Sequence, residues 1–197
     1  FGSMADEQTF AACQSLAAAH ERIWYVYGPP STYYDPQQLV RAWFEDNLFK
    51  LDFRRFTGYG VEVGTFCYAT RSPVLESLPQ ATIQATPLSV TRVSLALLDY
   101  ELALSTPSGE VLAVPLYWQA VQPLETDFKV SVRLRGQDGS YWAQSDQSPF
   151  PFFPATEWPV GRAIRHVQEI PLPPGTPPGR YQLELTAYRP DRGDVLE

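Results

Sequence analysis

The sequence predicts an α+β protein in which a small α/β piece precedes an antiparallel β-sandwich of immunoglobulin-like or jelly-roll-like type. Helical spacing of apolar residues is confined to the first third of the chain. From Val90 onward, short runs typical of strands are separated by turns about every dozen residues. Aromatic residues at 14% and a total of 19 prolines, both above average usage, also favour a β-rich body.

The α/β piece is expected to span residues 5–70. Asp6–His20 is Ala-rich, with acids at its start and a His at its end, which suits the dipole of a helix. A second helix is expected to begin with Asp35 as its N-cap and Pro36 at its first position. Three strands are expected in this piece: the unbroken apolar run Arg22–Tyr27 (RIWYVY), predicted to be buried, then Leu51–Phe56 and Val61–Tyr68.

Residues 71–88 are punctuated by prolines and are expected to form a connector, and residues 89–197 are expected to form the β-sandwich. In Asp127–Leu134 (DFKVSVRL) alternate residues are apolar, which predicts a strand with one buried face. Asp138-Gly139 predicts a two-residue hairpin turn, and Pro115 predicts an edge position or a bulge. Further strands are expected at 81–85, 93–104, 111–121, 141–144, 163–172 and 179–188.

The stretch Leu172–Pro190 joins a proline-rich corner to an alternating strand. The prolines are expected to end one strand and to stiffen the crossing between sheets. Tyr181 then opens a strand like the corner tyrosine of immunoglobulin-like folds, and it is expected to face the core. Phe1–Met4 resembles a vector remnant, and so does Leu196-Glu197. The segment Asp191–Glu197 stops where a last strand of the sandwich is expected to begin.

Composition excludes some partners and leaves the cysteines open. The net charge is −7, with no cluster of Lys and Arg, which argues against nucleic acid or an anionic membrane surface. No apolar run reaches the ~20 residues that span a bilayer, and no signal peptide opens the chain. Cys13 and Cys67 are expected to be either a single disulfide or two buried thiols.

No catalytic residue, metal site or cofactor is predicted, because the sequence lacks GxSxG, HExxH, P-loop and GxGxxG motifs. His20 is expected on the surface at a helix end, and His166 on an outward, solvated strand face. Asp99 and Glu101 share one strand face, where solvated carboxylates are expected rather than a glycosidase pair. Asp138 and its neighbours lack the spacing of an EF-hand calcium loop.

The candidate ligand-binding residues lie in and before an aromatic, proline-rich loop, Ser148–Pro159. Exposed rings beside polar groups stack on sugars, and they also dock partner proteins. The alternative is that the rings cap the end of the sandwich. The candidates are Trp142, Gln144, Asp146, Phe150, Phe152, Phe153 and Trp158.

The order of four motifs resembles the end of bacterial multi-spanning glycosyltransferase-like membrane proteins of family 39, the dolichyl-phosphate-mannose mannosyltransferase type. The segment RIWYVYGPPSTYYDPQQLVRAWFEDNLFK is similar to a segment near the end of those proteins. Three further motifs are similar to an extension that many of them carry: QSDQSP (Gln144–Pro149), W-x-x-G (Trp158–Gly161) and PPG-x-Y-x-L (Pro177–Leu183).

The resemblance implies a domain on the extracytoplasmic face of the bacterial membrane, attached after the last span of a parent protein that uses polyprenyl-phosphate sugars. The catalytic acids of that family lie in an early loop with no counterpart here, so no catalytic residue is carried over. The expected function is non-catalytic scaffolding or binding of an acceptor or partner. The expected partners are the parent membrane domain and a glycan or cell-envelope polymer. The alternative is a free-standing carbohydrate-binding β-sandwich module, and a hydrolase built on Asp99 and Glu101 is a third option.

Overall fold

The structure is a computed structural model, and it describes residues 3–29, 35, 37–77, 95–102 and 105–191. The chain divides into two compact units, Phe1–Pro73 and Val74–Glu197. Within the described ranges, no helix combines the length and the apolar character that crossing a membrane requires. The strand expected at 81–85 lies outside the described residues.

The first unit is a three-stranded antiparallel sheet with two helices. Its elements are α1 (Ser3–Ala19), β1 (Arg22–Tyr27), α2 (Leu39–Asn47), β2 (Phe49–Gly58) and β3 (Val61–Ala69). The strands lie in the order β1-β3-β2. Tyr59 (φ 50°) and Gly60 (φ 74°) join β2 to β3, and two successive positive φ angles are the geometry of a tight hairpin turn.

Asp35 caps α2 from further upstream than the sequence predicts. The helix begins at Leu39, and its N-cap position is held by Gln38 at a positive φ of 53°. The Asp35 carboxylate accepts hydrogen bonds from the backbone N–H groups of Leu39 at 2.8 Å and Val40 at 3.2 Å. The predicted role of Asp35 is therefore retained, because its side chain still satisfies amides that a helix leaves unpaired in its first turn.

One face of this sheet packs against the two helices, and the opposite face of β1 is exposed. The core includes Ile23 from β1 and Phe44 from α2, together with Cys13 from α1. Cys13 and Cys67 are both buried and form no disulfide, so the disulfide alternative is wrong and the two cysteines are buried thiols. The prediction that β1 is buried is also wrong, because Trp24 is 54% exposed and Val26 is 59% exposed. An unbroken apolar run does not reveal that only one side of its sheet is covered.

The second unit confirms the predicted antiparallel β-sandwich. Its strands are β4 (Val74–Leu75), β5 (Leu95–Tyr100), β6 (Val111–Ala120), β7 (Lys129–Arg135), β8 (Tyr141–Gln147), β9 (Ala163–Pro171) and β10 (Gln182–Tyr188), with a 3₁₀ turn at Ala155–Glu157. One sheet has the order β4-β9-β6-β5, the other has the order β10-β7-β8, and the strand pairs are antiparallel. The short β4 lies inside the predicted connector and pairs with β9.

The inner faces of the two sheets form the core of the sandwich. The predicted alternation of β7 is confirmed, with Val130, Val132 and Leu134 buried on one face. A polar contact also joins the sheets, since the Gln168 amide on β9 donates to the backbone oxygen of Ser145 on β8 at 3.2 Å and to its Oγ at 3.1 Å. Such a buried contact fixes how two layers align, because an unpaired amide would be costly there.

Pro115 lies in an inner strand, β6, which pairs with β9 on one side and β5 on the other. The prediction of an edge position is therefore wrong. Of the other alternative, a bulge, there is a trace beside Pro115, because the register of β5 with β6 shifts between Leu97 and Asp99. The Pro115 oxygen accepts a hydrogen bond from Glu101 N at 2.9 Å, just beyond the last residue of β5. Because N and O of one residue point to the same side of a strand, the missing N–H also faces the point where β5 ends. The ladder therefore loses little by having proline there.

The turn between β7 and β8 is longer than the two residues predicted from Asp138-Gly139. Gly136 N donates to Ser140 O at 2.8 Å, and Gly139 N donates to Gly136 O at 3.0 Å, which leaves a three-residue loop. Gly139 has a φ of +86°, the left-handed conformation that such a loop requires near its end. Asp138 stabilises the loop by accepting from Ser140 N at 3.1 Å.

Tyr181 forms a corner immediately before β10. Its hydroxyl donates to the backbone oxygen of Pro177 at 2.5 Å, four residues upstream. This is the contact that defines the tyrosine corner of immunoglobulin-like sandwiches. The side chain is half-buried rather than part of the core, and the strand reaches full burial only at Ala187.

Candidate functional site

The aromatic loop forms part of the hydrophobic core. Phe150 is 6% exposed and Trp158 is 4% exposed, so neither ring can stack on a ligand. Phe153 is half-buried against both, with ring centroids 6.1 Å from Phe150 and 6.4 Å from Trp158. Trp158 also meets Phe128 edge-on at 5.5 Å. These rings therefore cap the sandwich, and of the predicted loop rings only Phe152 is well exposed, at 43%.

His166 belongs to the same buried region, so the prediction of a solvated strand face is wrong. The residue is 3% exposed, and its ring meets Phe150 edge-on at 5.8 Å. Burial lowers the pKa of His166 to about 3, because a charged imidazole would lose its hydration there. His166 is therefore a neutral core residue near pH 7. His20 is exposed beyond the end of α1, as predicted.

The other predicted residues lie on β8, on the opposite side of the sheet from the core. Gln144 and Asp146 are exposed there, and Trp142 is 36% exposed beside them. Their neighbours come from β7 and β10 through antiparallel pairing. We call this outer surface of the β10-β7-β8 sheet the Tyr141 face. It comprises Arg133, Arg135, Tyr141, Trp142, Gln144, Asp146, Glu184 and Tyr188.

The centre of the Tyr141 face is a network of charged and aromatic groups. The Tyr141 hydroxyl donates to Glu184 Oε2 at 2.8 Å, and Arg135 Nη1 donates to Glu184 Oε1 at 3.0 Å. The guanidinium groups of Arg133 and Arg135 lie 5.8 and 5.9 Å from the centroid of the Tyr141 ring. Cation–π contacts of this kind hold a ring at a fixed angle while leaving it 55% exposed.

A second polar pair lies further along the same face. Gln144 Nε2 donates to Asp146 Oδ2 at 2.5 Å, and the Tyr188 hydroxyl donates to Asp146 Oδ1 at 3.3 Å. At the other end of the face, Trp142 lies over the β7–β8 turn. A Cβ added to Gly136 would lie 2.7 Å from Asp138 Oδ1 and 3.1 Å from the Trp142 indole nitrogen, so glycine at this position lets both side chains pack closely on the turn.

The carboxylates of the Tyr141 face are held in their ionised form. Hydrogen bonds from Tyr141 and Arg135 lower the pKa of Glu184. For Asp146, burial acts to raise the pKa, but hydrogen bonds from its neighbours, with Gln144 the strongest, outweigh it and the pKa is lowered. Ionised carboxylates of this kind accept hydrogen bonds and do not donate protons.

The Asp99 and Glu101 carboxylates form separate contacts. Asp99 accepts from the backbone N–H of Tyr100 at 2.8 Å, whereas Glu101 accepts from the hydroxyl of Tyr117. Burial, followed by that hydrogen bond, raises the pKa of Tyr117. Within the described ranges, no group of three or more His, Cys, Asp and Glu residues is arranged to hold a metal ion.

Sequence reasoning missed the charged half of the Tyr141 face. Arg133, Tyr141 and Glu184 come from three strands that pairing brings together, and no local motif links them. One signal was present, since Arg133 and Arg135 alternate with the apolar residues of β7 and must share its outer face.

No family model matches this chain, and no curated protein matches it either. Among solved structures, a β-glucuronidase from glycoside hydrolase family 2 aligns with 72% of this chain at 8% sequence identity and a TM-score of 0.38. The chain spans 17% of the length of that enzyme. A likeness at this level assigns neither fold family nor function.

Proposed function

We propose that this chain is a non-catalytic extracytoplasmic region of a membrane glycosyltransferase-like protein, and that its second unit binds the saccharide acceptor or a cell-envelope polymer. The observation that carries the binding role is the Tyr141 face. It places exposed rings beside polar groups that are already fixed by one another.

Saccharides suit this arrangement for two physical reasons. The axial C–H groups of a pyranose pack on an aromatic ring, and Tyr141 and Trp142 present such rings. Sugar hydroxyls both donate and accept hydrogen bonds, so they match ionised carboxylates and amides. Because the polar groups already hold one another in place, binding would cost little further side-chain entropy.

Binding is favoured over hydrolysis by the state of the carboxylates. A glycosidase needs one carboxyl group with a raised pKa to protonate the leaving oxygen. The pKa values of Glu184 and Asp146 are lowered instead. These groups are suited to accepting hydroxyl protons in hydrogen bonds, which supports a binding role.

The link to a membrane protein depends on the motif resemblance, and the gene tests it. We expect the coding sequence upstream of this region to encode several membrane spans. If it encodes none, that part of the proposal fails. The free-standing carbohydrate-binding module would then be the better proposal, and it is favoured by one observation: the Tyr141 face lies wholly within one compact unit.

A glycan panel that covers neutral and acidic envelope saccharides tests the binding role with the whole chain. We expect binding that weakens by about tenfold in Trp142→Ala, which removes a stacking surface, and in Tyr188→Ala, which removes a half-buried ring of the same face and the hydroxyl that holds Asp146. Tyr59→Ala is the matched control, because Tyr59 is a fully exposed ring in the turn between β2 and β3. Failure to bind any member of the panel would refute saccharide binding and leave scaffolding as the remaining role.

A further inference from the structure

A groove of about 460 Å³ lies at one end of the Tyr141 face, where the β7–β8 turn adjoins the start of β10. Its volume falls within the range of roughly 300–1,000 Å³ that is typical of small-ligand sites. We call it the arginine groove. It is lined by Arg135, Gly136, Gln137, Gly139, Arg180, Tyr181 and Gln182.

One of its two cations is held in place by the sheet. Arg135 Nη1 is bonded to Glu184, which is itself held by Tyr141. The other edge of the same guanidinium faces the turn, because a Cβ added to Gly139 would lie 3.6 Å from Nη2 and 4.0 Å from Nε. Arg135 therefore presents a fixed donor edge toward the groove and needs no rearrangement to use it.

The second cation has no carboxylate partner. Arg180 is exposed, and across the described ranges it forms no ion pair, although the chain carries a net charge of −7. Glu184 offsets Arg135, whereas no carboxylate contacts Arg180 among the described residues, so Arg180 is the cation of the groove that is open to an added anion. Asp138 in the adjacent turn is engaged with Ser140, whose N–H and hydroxyl it accepts at 3.1 and 2.6 Å.

The remaining lining groups are those that recognise a sugar ring. Gln137 and Gln182 supply amides that both donate and accept hydrogen bonds. Tyr181 supplies a ring whose position is fixed by its hydroxyl bond to Pro177. Gly139 leaves the backbone uncovered beside Arg135, so a ligand can approach closely there.

From this combination we infer that the arginine groove binds the carboxylate of an acidic saccharide, a uronate residue within the polymer that the Tyr141 face contacts. The inference rests on the proposed function and names its substrate class. A planar carboxylate matches the donor fork of a guanidinium. A monoanion suits the groove better than the dianion of a phosphate, because Glu184 beside Arg135 and Asp138 in the adjacent turn already place negative charge at the edge of the groove.

Calorimetry with the whole chain tests this inference. The probes are α-1,4-linked trigalacturonate and its methyl ester, which keeps the sugar skeleton and removes the charge. We expect the acid to bind about tenfold more tightly than the ester, and Arg180→Gln to abolish that difference. Arg162→Gln is the matched control, because Arg162 is exposed and lies outside the groove. The preference for the acid should also shrink at high salt.

Tyr188→Ala separates this inference from the proposed function, because Tyr188 pairs with Lys129 at the far end of β7 from Arg135. If acid and ester bind with equal affinity and binding still depends on Tyr188, the arginine groove does not bind the carboxylate, and the proposed function remains supported. Stronger competition by inorganic phosphate than by the acid would overturn the carboxylate assignment. Acid binding that needs Arg180 but not Tyr188 would support the groove and refute the role of the Tyr141 face.

Discussion

His166 should make the sandwich lose stability in mild acid. The residue is 3% exposed, and burial lowers its pKa to about 3. In the unfolded chain the imidazole is solvated, with a pKa near 6.5. Below about pH 6.5 the unfolded state therefore binds a proton that the folded state does not bind. The free energy of unfolding is unaffected by His166 above this pH and falls as the pH drops toward 3.

The size of the effect follows from the difference between the pKa values of His166 in the unfolded and folded states. Each pH unit below the unfolded pKa costs about 1.4 kcal/mol until the folded pKa is reached. At pH 5 the loss is ~2 kcal/mol, a sizeable part of the ~5–15 kcal/mol that stabilises a typical domain. The Nδ1 atom of His166 has no hydrogen-bond partner among the described residues, so no specific contact offsets this cost.

Denaturant unfolding at pH 7 and pH 5, followed by circular dichroism, measures the loss. Carboxylates also titrate in this range, so wild type is compared with His166→Leu, which fills a similar volume and cannot bind a proton. The fall in the free energy of unfolding from pH 7 to pH 5 should be ~2 kcal/mol larger in wild type. At pH 7 the variant should be as stable as wild type or more so, since it removes a buried polar atom without a partner.

The matched control is His20→Gln, at an exposed position in the other unit, and it should keep the wild-type pH dependence. Because the chain has only two histidines, proton NMR also offers a direct test. One imidazole signal should stay constant between pH 7 and pH 5. The reasoning is refuted if both signals titrate in that range, or if wild type and His166→Leu lose equal stability.

Three further predictions concern stability, each measured as the free energy of unfolding. Tyr181→Phe should cost ~1 kcal/mol, because it removes the hydroxyl bond to Pro177, and an unchanged stability would argue against the corner. Phe128→Ala should cost ~3–5 kcal/mol, since that ring is 1% exposed, whereas Phe152→Ala, at 43% exposure, should cost far less. Similar costs would contradict the assignment of Phe128 to the core and of Phe152 to the surface. Gly139→Ala should cost ~1–2 kcal/mol from its φ of +86° alone, because a Cβ there meets no atom closer than 3.6 Å; a neutral result would refute the turn geometry.

The sandwich could be predicted because its strands are short, alternating and separated by turn residues. The β7 strand shows this, since Val130, Val132 and Leu134 follow one face in the sequence and in the structure. The edge position of Pro115 was predicted wrongly. A proline shows that one backbone donor is missing, but the sequence does not show that the neighbouring strand has already ended at that point. The exposure of β1 was not predicted because two of the three residues on its open face, Trp24 and Val26, are apolar.

The site was predicted less well, because local sequence shows which groups are near in the chain and not which face they share. Phe150 and Trp158 were grouped with Trp142 because the three are close in sequence. Phe150 and Trp158 are buried in the core, however, whereas Trp142 is on the outer face of β8. For His166 a signal was available. Arg165 and Glu169 lie four residues apart, which places them on one face of β9 and so places His166 and Gln168 on the other.

The two outer faces of the sandwich differ in a way that favours the Tyr141 face as the binding surface. On the four-stranded sheet, Tyr117 opposes Arg165, yet it is 2% exposed and its hydroxyl donates to Glu101. On the three-stranded sheet, Tyr141 keeps more than half of its surface in solvent while its hydroxyl is held by Glu184. An aromatic ring that is immobilised but uncovered has already lost much of the entropy that ligand binding would otherwise remove. Tyr117 is immobilised as well but is covered, so of the two outer faces of the sandwich we expect a saccharide to stack on that of the β10-β7-β8 sheet.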